Sequence, residues 1–265
     1  MIYQEDYNKY KRFFTFGCSF TEYKYPTWAN IIQRNMPNAS FYNLGSCGGG
    51  NTFIANRITE ANRAFNFCET DLVMVMWSTF CREDRYTYNH GWKLPGNIYS
   101  QNEYNFTTDE YIKEWGQPLT YLVRDLSTID MTIKYLNVLP CDSHLLFSVP
   151  IYHQQDTTCE KTNYLLKLYW DLLEDYPDNL FELELGGHWI NGSKYKTTWT
   201  DEYNDYHPSP LRYANYLKKL GIHLSDESYQ YAIDSTNKLS QIKDEIEFAS
   251  VFPKSDFNNT HTNML

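Results

Sequence analysis

The sequence predicts an α/β domain of three layers, with helices on both faces of a mainly parallel, five-stranded sheet. Three observations carry that prediction. Short runs of apolar, aromatic and β-branched residues recur along the chain, segments of helical period separate them, and glycine turns close the first two. The clearest run, Asp71 to Trp77 (DLVMVMW), is apolar without interruption, the mark of a strand buried on both faces of a parallel sheet.

The first strand falls at Arg12-Phe13-Phe14-Thr15-Phe16 and runs into Gly17-Cys18-Ser19-Phe20-Thr21. A glycine here lets the chain bend sharply and leaves the Ser19 hydroxyl clear of its own backbone. A helical pattern through Trp28, Ile31, Ile32 and Met36 follows, closed by Pro37. Ser40 to Leu44 gives a second strand, then the loop Gly45-Ser46-Cys47-Gly48-Gly49-Gly50, then a helix from Asn51 to Phe67 with Phe53, Ile54, Ile58, Ala61 and Phe65 on one face. After the third strand, residues from about 82 to 118 lose all period and are crowded with Tyr86, Tyr88, Trp92, Tyr99, Tyr104, Phe106, Tyr111 and Trp115. They read as an insertion over one edge of the sheet. Within it, Arg82-Glu83-Asp84-Arg85 reads as a solvated, mutually paired loop, the alternative being that Arg82 lines the site.

The helical period returns from Tyr121 to Leu139, a fourth strand falls at Ser143 to Ile151, and Lys161 to Tyr176 forms an amphipathic helix. Leu180 to Leu185 (LFELEL) is the expected fifth strand. Ser209 as N-cap and Pro210 in the first turn begin a helix ended by Gly221, and a last helix spans Glu227 to about Ser250. No linker and no internal repeat is visible, so residues 1–253 are expected to form one domain carrying the insertion. Residues 254–265 follow as a polar tail.

Composition narrows the partners. Against 33 acidic residues the 265-residue chain has 23 Lys and Arg, a net charge of −10, which offers no attractive field to nucleic acid or to an anionic membrane surface. No stretch approaches the length needed to cross a bilayer and no export signal opens the chain, so the expected location is cytoplasmic or virion-associated. The cysteines at 18, 47, 68, 81, 141 and 159 show no metal-ligand spacing, and neither metal nor cofactor is expected. Aromatic residues reach 17%, a content suited to stacking against a ligand.

In a parallel sheet all carboxyl strand ends lie on one edge, so polar groups there converge from distant positions. The first end carries Ser19, the second the glycine loop, the third Ser78-Thr79, and Asp205-Tyr206-His207-Pro208 precedes the last core helix. A serine hydroxyl becomes a nucleophile when an imidazole takes its proton, and a carboxylate fixes that imidazole's tautomer. Ser19, His207 and Asp205 supply those three types. His144, His153 and His188 are the alternative imidazoles; the neighbouring Asp205 and the Pro208-Ser209-Pro210 helix start favour His207.

This ordering resembles the SGNH hydrolases, the GDSL-like esterases and lipases, whose fold has a flavodoxin-like arrangement. Gly17-Cys18-Ser19-Phe20-Thr21 matches the first Gly-Asp-Ser-x-Thr block except at Cys18, Asn43 and Gly48 match the Asn and Gly of the second, and Asp205 with His207 matches the last. The resemblance implies catalysis by Ser19, Asp205 and His207 through an acyl-serine intermediate. It also implies an oxyanion hole of the Ser19 and Gly48 N–H groups with the Thr79 hydroxyl. In the third block, Trp77-Ser78-Thr79-Phe80 stands where the family has Gly-x-Asn-Asp, and Asp205 lies two residues before the histidine rather than three. The implied substrate is a small-molecule or glycan ester, including O-acetylated carbohydrate. The alternative is a weakened hydrolase fold kept as a glycan-binding or assembly module, for instance in a viral particle, with a protein partner.

Overall fold

The computed structural model describes residues 4–99, 107–149, 160–174, 178–185, 207–242 and 247–253. A short 3-10 helix, Gln4–Lys9, precedes the first strand, β1 (Arg12–Phe16), and then come α1 (Trp28–Gln33), β2 (Ser40–Asn43), α2 (Asn51–Phe65) and β3 (Asp71–Trp77). The insertion contributes a hairpin of β4 (Arg85–Thr87) and β5 (Gly91–Lys93), then α3 (Asp109–Trp115). The remaining elements are α4 (Pro118–Asn137), β6 (Asp142–Phe147), α5 (Glu160–Leu168), α6 (Trp170–Glu174), α7 (Leu180–Leu185), α8 (Pro210–Lys219), α9 (Asp226–Leu239) and α10 (Glu247–Val251).

Four strands form the central sheet in the order β2-β1-β3-β6, every neighbouring pair parallel. Alternation along β1 sends Phe13 to one face and Phe14 and Phe16 to the other. Phe13 joins Trp28, Ile31 and Ile32 of α1 and Tyr213 and Leu217 of α8. Phe14 and Phe16 join Ile54 and Ile58 of α2 and Leu122 and Leu126 of α4. Helices thus cover both faces, giving the three-layer α/β/α architecture that the sequence pattern predicts. From β1 the chain passes through α1 to β2 on one side, and α2 then carries it back across to β3 on the other. The switch point therefore lies between the carboxyl ends of β1 and β3, where open α/β sheets bind their ligands.

The expected fifth strand is a helix. Leu180–Leu185 forms α7, so among the described residues the parallel sheet has four strands, not five. The decisive signal is the residue before it. Asn179 accepts the Glu182 N–H through its side-chain oxygen (2.9 Å) and donates to the Glu182 carboxylate (2.6 Å), a reciprocal cap that an alternating apolar pattern conceals. With Leu180 and Phe181 buried and Lys219 of α8 donating to the Leu183 carbonyl, tertiary contacts hold the turn in place. Asn179→Ala is expected to lower stability by about 1 kcal/mol, read as a shifted urea midpoint with an unchanged slope.

Two other expectations change in detail. The helix expected over Lys161 to Tyr176 is divided into α5 and α6, and the one expected from Glu227 ends at Leu239, with α10 as a separate turn. Ser209 does take the N-cap position of α8, with Pro210 following, but its side chain makes no capping hydrogen bond. Instead the Leu211 N–H is met by the Thr236 hydroxyl of α9 at 2.9 Å. The tail over 254–265 lies outside the described residues.

Candidate active site

The turn after β1 is built by close approach. Thr21 and Glu22 both donate their N–H groups to the Cys18 carbonyl (2.9 and 3.1 Å), which folds residues 18–22 back on themselves. A Cβ at Gly17 would collide with the Thr21 side chain, so only glycine fits. Thr21 is fixed in turn, since its hydroxyl accepts from the Trp28 indole (3.1 Å) and its carbonyl accepts from Thr27 Oγ1 (2.7 Å) and Asn43 Nδ2 (2.9 Å). Asn43 therefore joins the first two loops: its side-chain oxygen also accepts from the Thr15 hydroxyl and the Gly45 N–H. Ser19 sits on this braced turn, 7% exposed.

From the second loop, Ser46 donates its N–H to the Gly17 carbonyl at 3.0 Å, which lays the glycine loop along the Ser19 turn. The Cys47 thiol comes within hydrogen-bonding reach of the Ser19 side chain. Cys47 is exposed as a residue, yet its thiol is pushed above the ordinary value by desolvation first and by neighbouring Cys18 second, with Arg82 opposing. Cys18 itself is buried. Gly48 adopts φ +79, and a Cβ there would drive into the Leu94 carbonyl oxygen beyond β5. The aromatic insertion is thus seated directly against the loop that carries Gly48.

His207 arrives from nearly two hundred residues away. Its ring stacks on Tyr23 (centroids 3.8 Å apart, 17° between planes) and meets the edge of Phe20 at 5.1 Å, while its carbonyl accepts from the Tyr25 hydroxyl at 3.0 Å. Phe20 and Tyr23 flank the Ser19 turn, so the imidazole and the serine share one edge of the sheet. His144, by contrast, lies within β6 opposite Met74, away from that edge. His153, His188 and Asp205 lie outside the described residues. Thr79 is half-buried just past the end of β3.

Beside these stands a polar cluster that the sequence pattern did not reveal. Arg82-Glu83-Asp84-Arg85 is not simply a solvated loop. An Arg85–Glu83 pair does form (2.7 Å), but Glu83 and Asp84 are buried, and Asp84 accepts the N–H groups of Gly50 (2.8 Å) and Phe53 (2.9 Å) at the start of α2. A carboxylate there satisfies donors that a helix leaves open and meets the positive end of its dipole. Burial nonetheless pushes the Asp84 carboxyl upward. Arg82 donates to the Gly49 carbonyl at 2.9 Å and so borders the site. The one available signal was position: an acidic residue that shares a sheet edge with a glycine-led helix start.

Deeper in the cluster, Asp125 of α4 is fully buried and paired with Arg124 (2.8 Å). Desolvation pushes its carboxyl up to about 6, outweighing the opposing pull of Arg124 and Asn51. A folded value above the unfolded one means that the folded chain holds this proton more tightly. The associated stability is therefore complete below about pH 4 and lost as pH rises through about 6. Between about pH 4.5 and 7.5, wild type is expected to lose some 1–3 kcal/mol more unfolding free energy than Asp125→Asn, measured by denaturant titration at each pH.

Among the described residues no group of three His, Cys, Asp or Glu side chains could hold a metal, and no helix is long and apolar enough to cross a membrane. No family model and no curated protein matches the chain. Solved structures similar to it include the following two. YxiM from Bacillus subtilis shares 12% identity over 66% of this chain and 44% of its own, with a TM-score of 0.37. A member of the lipolytic G-D-S-L family from Veillonella parvula shares 14% identity over 86% of this chain and 96% of its own, with a TM-score of 0.36. The alignment thus spans less than half of YxiM, and likenesses this slight carry no weight for the chemistry.

Proposed function

We propose that the protein is a serine acyl hydrolase that cleaves an ester through an acyl-serine intermediate. The observation that carries this reading is the His207 ring lying against Phe20 and Tyr23 of the Ser19 turn. His207 would take the Ser19 proton as Oγ attacks the ester carbonyl, then return it to the departing alcohol. Water, deprotonated by the same imidazole, would release the acid. Asp205, two residues before the imidazole, would orient it. The negative oxygen of the tetrahedral intermediate would be met by the Ser19 and Gly48 N–H groups and the Thr79 hydroxyl. The stack on Tyr23 and the edge contact with Phe20 keep the His207 ring from swinging away between steps.

For the substrate, the favoured class is an O-acylated carbohydrate. The hairpin behind Gly48 presents Tyr86 and Tyr88, 57% and 100% exposed, with Trp92 in edge contact with Tyr86 at 5.5 Å. Exposed rings of this kind suit the apolar faces of sugars. The same rings favour a second reading, a glycan-binding or assembly module with hydrolysis weakened by threonine at position 79. A fluorophosphonate probe separates the two. Labelling that maps to Ser19, with turnover of 4-nitrophenyl acetate, is expected of the hydrolase, whereas glycan binding without labelling would favour the module.

A further inference from the structure

We infer that Asn51 is a positioning residue, a clamp that joins the start of α2 to the loop after β3 and so fixes the Gly48 and Thr79 arms of the oxyanion site relative to each other. The inference rests on the acyl-hydrolase reading above.

Asn51 is the first residue of α2, and its side chain is fully buried. The N-cap before it, Gly50, has no side chain to serve the helix's open N–H groups. Here Asp84 already takes those of Gly50 and Phe53, which leaves the Asn51 amide to turn toward the sheet. Its oxygen accepts the Ser78 N–H at 2.9 Å, and its nitrogen donates both to the Ser78 carbonyl at 3.0 Å and to Asp125 Oδ2 at 2.9 Å. Both backbone groups of Ser78 are thereby gripped by one side chain, and Thr79 is the next residue.

The grip has only one orientation. If the amide were turned over, its oxygen would face the Asp125 carboxylate and the Ser78 carbonyl, and its NH2 would face the Ser78 N–H. Asp125 therefore selects the orientation, and Arg124 holds Asp125 through a 2.8 Å contact to its other oxygen. Arg124 also donates to the Arg82 carbonyl at 2.7 Å, and Arg82 donates to the Gly49 carbonyl at 2.9 Å. The glycine loop is thus held from the Arg82 side while the β3 exit is held by Asn51. Gly48 stands three residues before Asn51 and Thr79 one residue after Ser78, so both proposed donors lie within a few bonds of the clamp. Donors to a developing oxyanion act only when placed to within a fraction of an ångström, so loosening either loop should slow chemistry more than it weakens binding.

The test uses Asn51→Ala, Thr79→Ala and their double variant, with Asn51→Asp as a near-isosteric companion should the alanine variant fold poorly. Asn51→Ala is expected to lower kcat for 4-nitrophenyl acetate about 10²-fold with KM within about threefold, while fluorophosphonate still labels Ser19 to completion, only more slowly. Adding Thr79→Ala should cost far less in that background than in wild type, because the donor is already misplaced. In Asn51→Asp the new carboxylate faces Asp125, whose own neighbours are Arg124 as cation and Asp84 as a second carboxylate, with Glu83 beside Arg124. Protonation restores its donor, so the ratio of its kcat to that of wild type should rise as pH falls toward about 5. Additive losses at positions 51 and 79, a flat ratio with pH, or variants that match wild type in kcat would overturn the clamp. Wild-type protein that takes no probe at Ser19 would instead bring down the hydrolytic reading, and the clamp's purpose with it.

Discussion

Ser19→Ala is expected to abolish fluorophosphonate labelling and to lower ester turnover by at least about 10⁴-fold, with the thermal midpoint within a degree or two of wild type. Stability should hold because the substitution deletes one oxygen and adds nothing. The turn is braced by Thr21, Trp28, Thr27 and Asn43, none of which depends on the Ser19 hydroxyl. Alanine at 207 would be a blunter probe, since it also strips the ring contacts with Tyr23 and Phe20. Cys47, whose thiol reaches the Ser19 side chain, is chemically able to substitute as nucleophile, but desolvation raises its thiol above the ordinary value, so little thiolate is present at neutral pH. Any residual turnover in Ser19→Ala should therefore be small and sensitive to iodoacetamide. Turnover that survives the alanine substitution intact would place the chemistry elsewhere.

The parts of this arrangement that were legible in the sequence are those set by short-range patterns. An apolar run such as Asp71 to Trp77 can satisfy its burial in few ways, so the strands, the layers and the common carboxyl edge follow from it. That edge is why Ser19 and His207 could be paired across the length of the chain. Leu180 to Leu185 shows the limit of periodicity, because six residues of mixed pattern fit strand and helix equally, and only the Asn179 cap decides. The polar cluster was hidden for a different reason. Asp84, Asn51 and Asp125 owe their roles to partners 27 to 74 positions away, and a charged tetrad such as Arg82 to Arg85 looks the same whether it meets water or a helix start. Burial converts those charges from solvating groups into fixed struts, and burial of polar residues leaves no periodic trace.

The glycine loop offers the other large effect, because it can be separated from simple backbone strain. Gly48→Ala is expected to reduce turnover by about 10² to 10³-fold and to cost roughly 1–3 kcal/mol of stability. Two penalties combine there: a left-handed φ of +79 that disfavours any Cβ, and a Cβ directed at the Leu94 carbonyl oxygen. The second cannot be relieved by a rotamer change, since the obstacle is backbone, so either the loop or the insertion must move and the Gly48 N–H moves with it. Gly91→Ala supplies the control. It has a comparable φ of +64 at the start of β5, but nothing lies within 4 Å of the added Cβ. Its expected cost is the backbone strain alone, about 1 kcal/mol, with turnover unchanged. Equal kinetic losses in both variants, measured as kcat/KM on the same ester, would mean that contact between the insertion and the glycine loop does not set the geometry of the site.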